Sequence, residues 1–123
     1  EHSIEHIMPQ TIQSDEDLYK RTDYDAKKKE MVDWEIDLGE NWNYIHKDYV
    51  NTLGNLTLSG YNSEYQNYRF KYKKDMENGF NDSPIRITKM LNKYDKWTEK
   101  EIKDRSDKLA KIIIDIWKYP TSA

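Results

Sequence analysis

The stretch that organises this sequence lies near its start, at residues 4–9, which read IEHIMP. Branched isoleucines favour a β-strand, and Pro9 marks its end because proline has no N–H to donate to a strand ladder. Glu5 and His6 therefore lie where a short strand passes into a loop. A carboxylate beside an imidazole suits acid–base or metal chemistry, although such a pair on its own is more often a surface feature than an active site.

Composition restricts the class of protein. The chain has 123 residues, enough for one domain with a single modest core, and 35% of them are charged. Ten Tyr and four Trp indicate a core of large amphipathic rings. The sequence has no cysteine, which excludes disulfides, thiol catalysis and cysteine-ligated zinc.

No apolar run is long enough to span a membrane and no signal peptide is visible, so we expect a cytoplasmic protein without membrane contact. The chain starts at Glu1 rather than Met, and we expect residues 1–123 to be one domain from the C-terminal part of a longer protein. Residues 1–40 carry 12 acidic and 5 basic residues, net −7, whereas residues 41–123 carry 11 and 15, net +4. The overall charge of −3 argues against a general polyanion binder, yet the second part can still face one.

Hydrophobic periodicity predicts the elements around the first strand. Leucines that alternate with Thr57 predict a second strand at residues 56–58, after a glycine turn. Tyrosines at helical spacing predict a helix from Asn62 to about residue 79. Further helices are predicted at residues 31–38, 42–51, 87–91 and, behind a capping box at 98–101, up to Pro120. Residues 15–20 can begin a helix capped by Ser14, in a segment that otherwise reads as a loop.

The last helix is assigned to packing. Its predicted buried face comprises Ile102, Leu109, Ile112, Ile113, Ile116 and Trp117. The elements together predict an α+β fold, mostly helical, in which two short strands are followed by a helix.

Polar side chains stand at the junctions of this strand–strand–helix unit. Glu5 and His6 end the first strand, Asn55 opens the second, and Asn62 opens the helix. Such a unit can bring its junctions together around one site. Phosphodiester hydrolysis needs a histidine that takes a proton from water and a hard cation with oxygen ligands, and a helix N-terminus favours the phosphate.

Four stretches of the sequence resemble a known family. Residues 6–9 (HIMP), 53–58 (LGNLTL), 62–63 (NS) and 70–74 (FKYKK) are similar to the C-terminal HNH-type nuclease domain of GmrSD-like restriction proteins. These are modification-dependent systems that cut foreign DNA. Weaker similarity continues through Trp97, Ile102, Arg105 and Leu109, so the resemblance covers most of the chain and implies a ββα-metal unit.

The resemblance implies a role for each junction residue. His6 matches the general base, and Asn55 matches the asparagine that braces the loop between the strands and helps to orient the histidine. Asn62 matches the third motif position, which contributes to the metal site, but the spacing is short and Asn67 is the alternative. Glu5 matches an acidic residue that ligates metal in related HNH nucleases. The implied cofactor is one Mg²⁺ or Mn²⁺ ion.

Two points in the sequence qualify these roles. Neighbouring residues of a regular strand point to opposite faces, so Glu5 and His6 share one site only if the strand kinks or one of them acts through water. His46, in the helix at 42–51, is expected on the helix surface or behind the site.

The expected substrate is DNA. Arg69 and Lys73, with neighbouring Lys74, are predicted to contact phosphates without reading bases. Nothing in the sequence resembles a pocket for a modified base, so recognition is expected from an upstream NTP-binding domain or a partner subunit. The alternative function is a catalytically inactive nucleic-acid-binding or protein-interaction domain of the same fold.

Overall fold

The N-terminal stretch forms a short strand that pairs with a second strand from the middle of the chain. The computed structural model describes residues 2–60, 65 and 67–118. Strand β1 spans Ser3–His6 and strand β2 spans Leu56–Ser59, and they form an antiparallel sheet in which Glu5 lies opposite Thr57. Both predicted strands are confirmed, and β1 ends one residue earlier than predicted.

Helices make up most of the remaining structure. The α-helices are α1 (Asp15–Lys20), α2 (Ala26–Val32), α3 (Glu35–Leu38), α4 (Trp42–Tyr49), α5 (Phe70–Asp75), α6 (Arg86–Lys89) and α7 (Glu99–Lys118), with 3₁₀ turns at Leu53–Asn55, Phe80–Asp82 and Met90–Lys93. The predicted α+β class, mostly helical with a small sheet, is confirmed. Within the described residues, none of these helices combines the length and apolar character needed to cross a bilayer.

Side chains at the helix ends explain where the first helices start and stop. The Ser14 hydroxyl accepts a hydrogen bond from the backbone N–H three residues later (3.1 Å), so α1 forms in a segment that otherwise reads as a loop. The helix predicted at 31–38 is divided between α2 and α3. Asp33 leaves the helical conformation, and its carboxylate accepts the N–H of Glu35 (3.2 Å) at the start of α3. Gly39 ends α3 with a φ of +81°.

The continuous helix predicted from Asn62 is wrong. Asn62 itself lies outside the described residues, and the chain is extended at Arg69, with a ψ of 158°, before α5 begins. The backbone N–H of Arg69 donates to the carbonyl of Met31 at 2.7 Å, which anchors this segment to α2. Tertiary hydrogen bonding therefore overrides the helical spacing of the tyrosines.

The core lies between the loop after β1 and the helices that follow. Its buried members are Ile7, Met8, Trp34, Leu38, Ile45, Tyr65, Phe70, Phe80, Leu91, Tyr94, Trp97 and Ile102. Phe70 stacks on Trp97 with the ring centroids 5.1 Å apart. Because Ile7 and Met8 follow directly on His6, close packing of the core fixes the end of β1.

Helix α7 packs against the 3₁₀ turn that enters β2. The capping box is confirmed, since the Glu101 carboxylate accepts hydrogen bonds from both the N–H and the hydroxyl of Thr98, each at 3.0 Å. Gly54 donates its N–H to Ser106 Oγ at 2.7 Å. A Cβ at Gly54 would lie 2.0 Å from the carbonyl oxygen of Ile102, so only glycine permits this approach.

The second half of α7 departs from the prediction. Ile102 and Leu109 are buried, but Ile112 and Ile113 are 45% and 42% exposed. Both line an open apolar groove with Leu53 and Leu58, because the helix continues beyond the core. The side chains of Ile116 and Trp117, and Pro120 as a whole, lie outside the described residues.

Candidate functional site

A polar cavity of about 240 Å³ opens where β1 ends. Its lining residues are Ile4, Glu5, His6, Pro9, Gln10, Thr11 and Asn67. Glu5 and His6 are neighbours on β1, and both line this cavity. Asn67, the alternative third position, lines it as well, whereas Asn62 is outside the described residues.

The Glu5 carboxylate is held by a buried lysine. Lys73 Nζ, from α5, donates to Glu5 Oε2 at 2.8 Å and to the carbonyls of His6 and Ile7, each at 3.0 Å. Lys73 is completely buried and Glu5 is nearly so. Burial raises the pKa of Glu5, and the nearby ammonium opposes that rise. Burial likewise lowers the pKa of Lys73, against the attraction of Glu5.

Lys73 uses only one carboxylate oxygen of Glu5. Among the described residues, Lys73 is the hydrogen-bond partner of this side chain and it contacts Oε2, and no such bond there uses Oε1. The Glu5 side chain is 10% exposed. Since Glu5 lines the cavity, Oε1 is the atom that can meet a ligand in it.

His6 is oriented by an amide that the sequence did not single out. Its Nε2 lies 3.0 Å from Asn51 Oδ1. An amide oxygen only accepts, so this contact places the imidazole proton on Nε2 and leaves the lone pair of a neutral ring on Nδ1. Asn51 follows α4 directly, and no motif or spacing marks it.

Asn55 is a completely buried brace. Its Nδ2 donates to the carbonyls of Met8 and Val50, each at 2.9 Å, and its Oδ1 accepts from the Met8 N–H at 2.8 Å and from Trp97 Nε1 at 2.9 Å. Its backbone carbonyl accepts the N–H of Ile7 at 2.9 Å. Asn55 thus holds the loop that follows His6, and the described contacts place no bond between Asn55 and the imidazole itself.

His46 lies behind the cavity. Its Nε2 is 2.8 Å from the carbonyl oxygen of Pro9, which lines the cavity. A carbonyl accepts only, so Nε2 carries the proton in this contact. His46 therefore secures the end of the IEHIMP stretch without itself lining the cavity.

The predicted phosphate contacts of Arg69 and Lys73 need correction. All three ammonium protons of Lys73 have acceptors inside the protein. Arg69 is 7% exposed, and its guanidinium pairs with Asp37 (3.0 and 3.3 Å) and with Glu30. Side chains that use their donors internally do not reach a DNA backbone. Lys74 donates one bond, to the Tyr94 carbonyl at 2.8 Å, and its phosphate contact stays a prediction.

The oxygen donors of the cavity fit a hard cation with few protein ligands. Glu5 has a carboxylate oxygen that Lys73 does not use, and Asn67 has an amide oxygen, which are the donor types that Mg²⁺ and Mn²⁺ accept. Within the described part of the chain, no three His, Cys, Asp or Glu side chains cluster as a metal cage. A cation here would therefore keep several water or phosphate ligands.

The sequence of this chain matches a family model of restriction endonucleases. The model is described as the C-terminal domain of GmrSD restriction endonucleases, and it matches residues 1–112. The match covers most of the 123 residues, and the chain therefore belongs to this family. The resemblance inferred from the four stretches is thereby confirmed. Neither a curated protein nor a solved structure matches the chain.

Proposed function

We propose that this chain is the nuclease domain of a restriction system and hydrolyses phosphodiester bonds of foreign, modified DNA in the cytoplasm. The observation that carries the proposal is that Glu5, His6 and Asn67 line one and the same cavity. Membership of a restriction endonuclease family supports the same reaction class. We further propose that residues 1–123 form one domain in the C-terminal part of a longer protein.

The arrangement of elements supports an HNH-like ββα unit. Strands β1 and β2 are followed by α5, and α5 contributes Lys73, which reaches Glu5 and the backbone at the end of β1. In this proposal Asn55 braces the loop, and Asn67 takes the third motif position because it lines the cavity. Asn62 is the other candidate for that position. It lies outside the described residues, so its role stays a prediction.

One Mg²⁺ or Mn²⁺ ion would be held by Glu5 Oε1 and the Asn67 side chain. When bound, the ion supplies positive charge that stabilises the phosphate during displacement. Lys73 holds the other oxygen of Glu5, which orients the carboxylate and favours its ionised form against the effect of burial on its pKa.

His6 acts as the general base. With the Nε2 proton directed at Asn51, the Nδ1 lone pair accepts a proton from the attacking water. As it loses this proton, the water oxygen bonds to phosphorus. The bond from phosphorus to the leaving sugar oxygen breaks, and that oxygen takes up a proton from solvent. Asn51 is a positioning residue, because it fixes the tautomer and the plane of the ring.

Recognition of the DNA is assigned to a different part of the system. The net charge of −3 provides little attraction for a duplex, so we place the reader in an upstream NTP-binding domain or a partner subunit. Alone, the 123 residues are expected to nick DNA slowly and without preference for modified sites.

Replacement of His6 tests the reaction. His6→Ala should fold like the parent and lower plasmid nicking in Mg²⁺ or Mn²⁺ by roughly 10²–10⁴-fold, the usual contribution of a positioned base. His2→Ala is the matched control, because His2 is exposed and outside the cavity. EDTA should abolish nicking by the parent. Equal nicking by His6→Ala and the parent would remove His6 as the base, and a parent that binds DNA without nicking it would favour the inactive binding domain.

A further inference from the structure

A second polar cavity adjoins the one described above. It has a volume of about 230 Å³ and is lined by Thr11, Gln13, Arg21, Tyr24, Val32 and Asn67. Thr11 and Asn67 also line the cavity of Glu5 and His6, so the two cavities are neighbours that share part of their walls. Given the proposed nuclease function, we infer that the second cavity holds the base of a nucleotide adjacent to the phosphate that is cut.

A flat pair of groups forms one wall of this cavity. The guanidinium carbon of Arg21 lies 4.2 Å from the centroid of the Tyr24 ring, which is a cation–π contact. Asp23 holds Arg21 through Nε at 2.9 Å, and Gln13 accepts from its Nη1 at 3.3 Å. Aromatic rings and guanidinium planes are the surfaces on which unstacked bases rest.

The charge of the cavity favours a base over a phosphate. Arg21 is neutralised by the carboxylate of Asp23 through two hydrogen bonds. The carboxylate of Asp23 would repel a phosphate bound at Arg21. A base is neutral and would not be repelled. This distinguishes the second cavity from an ordinary backbone-binding patch, where unpaired lysines and arginines face solvent.

Polar groups around the pair can meet the edge of a base. Among the described residues, no hydrogen bond uses the hydroxyls of Thr11 and Tyr24 or the side-chain amide of Asn67, and Gln13 uses only its oxygen. The volume is below the ~300–1,000 Å³ of pockets for drug-sized ligands, which suits one base. A base reaches such a pocket only when it is unpaired, so the substrate at the cut is single-stranded or locally opened.

Binding in the absence of turnover tests the inference. The unmodified 123-residue chain is titrated, in EDTA, into a fluorescently labelled single-stranded octadeoxynucleotide, and anisotropy gives the dissociation constant. Tyr24→Ala should weaken binding roughly tenfold, a typical loss for a stacking residue, and Tyr24→Phe should retain it. Tyr44→Ala is the matched control, because Tyr44 is 61% exposed on α4 and lines neither cavity.

A second experiment uses the parent protein alone and the same oligonucleotide with abasic positions. Its affinity for the parent should fall to that of Tyr24→Ala for the intact strand, and Tyr24→Ala should cause no further loss. Equal binding of the abasic and intact strands by the parent, or equal losses from Tyr24→Ala and Tyr44→Ala, would overturn the inference. A flatter salt dependence in Arg21→Gln would also overturn it, by making the cavity a phosphate subsite. Because the assay requires no cleavage, inactivity of the parent in nicking would contradict the proposed function and not this cavity.

Discussion

Two completely buried cations lie at the same end of the small sheet, where β1 ends opposite the start of β2, and their partners differ. Lys73 secures the exit from β1 with one carboxylate and two carbonyls. Arg105, from α7, secures the entry to β2 by donating to the carbonyls of Gly54 (2.8 Å) and Leu56 (2.7 Å). It also donates to Thr57 Oγ1 at 3.1 Å and to the carbonyl of Ile87 at 2.8 Å.

The difference indicates that Arg105 supports the fold alone, whereas Lys73 also supports the candidate site. Every described partner of Arg105 is neutral, and burial lowers its pKa to about 10, which still leaves it charged at neutral pH. Its Nε has no partner among the described residues. Lys73 instead pairs with the nearly buried carboxylate of Glu5, a residue that lines the cavity. The Arg105 contacts should therefore depend little on pH, whereas those of Lys73 should follow the ionisation of Glu5.

The largest effect is expected from Arg105→Met. Each buried carbonyl that loses its partner costs about 1–3 kcal/mol, and a small domain has only about 5–15 kcal/mol of stability. We expect a largely unfolded chain at 37 °C by circular dichroism. Lys111→Met is the control, since Lys111 is exposed on the same helix and should leave the melting temperature nearly unchanged. If Arg105→Met melts cooperatively near the melting temperature of the parent, the hydrogen bonds of Arg105 are not needed for the fold.

Lys73→Met should leave the carbonyls of His6 and Ile7 without their donor, and the further part of its effect, which comes from Glu5, should depend on pH. Removing the ammonium leaves Glu5 buried without its partner, at a cost of about 3 kcal/mol near pH 7. Without the ammonium, burial raises the pKa of Glu5 further above its ordinary value than in the parent. The folded variant takes up a proton before the unfolded chain does, so its stability should recover as pH falls through that raised pKa.

Urea denaturation of Lys73→Met at pH 8, 7, 6 and 5 measures this recovery. Glu5→Gln in the same background is the control, because it removes the ionisable group and should abolish the pH dependence. If the loss of unfolding free energy relative to the parent stays constant from pH 8 to pH 5, Glu5 is not an unpaired buried charge in the variant. The two buried cations would then be equivalent.

Trp97→Phe should have a modest effect on the scaffold. The substitution keeps the stacking on Phe70 but removes the hydrogen bond from Nε1 to Asn55 Oδ1, which costs about 1 kcal/mol. Asn55 retains its bonds to Met8. We expect a lower melting temperature with nicking per folded molecule unchanged. A fall in nicking larger than the fall in folded fraction would show that the brace also sets the geometry of the site.

Asn51→Ala should have the smallest effect on stability. Asn51 is exposed, and its described contact is the one with His6 Nε2. Removing a residue that orients a catalytic group usually costs about 10–100-fold in activity. We therefore expect an unchanged melt with nicking reduced by about that factor, and Asn51→Asp should retain more activity than alanine because it keeps an acceptor. Full activity in Asn51→Ala would remove its positioning role.

The sequence predicted the elements whose signals are local. Alternation around Thr57 and the proline after β1 gave both strands, and Ser14 and the Thr98 capping box gave helix starts that the structure confirms. The division at Asp33 was missed because it depends on one side-chain contact rather than on periodicity. The break before α5 was missed because it depends on a bond from Arg69 to a residue 38 positions earlier in the chain.

The sequence predicted which residues line the site but not which side chains hold them in place. Glu5 and His6 were singled out from their chemistry, and Asn67 was kept as an alternative. The burial of Lys73 could not be foreseen, because its acceptors lie 66 to 68 positions away and a lysine among lysines reads as a solvated face. Asn51 was missed for the same reason, since it meets His6 across 45 positions.

The contact of Gly54 with α7 has a consequence for the order of synthesis. Glu5, His6 and Asn67 all leave the ribosome before the segment that carries Ile102 and Arg105, yet β2 is held from behind by that segment. Non-local closure of this kind is late in folding. We expect a nascent chain to assemble its cavity only after α7 has emerged. Under the proposed function, this order would keep a partly made protein from cutting DNA. Hydrogen exchange on a chain ended at residue 98 checks this, and protected amides in β2 would contradict it.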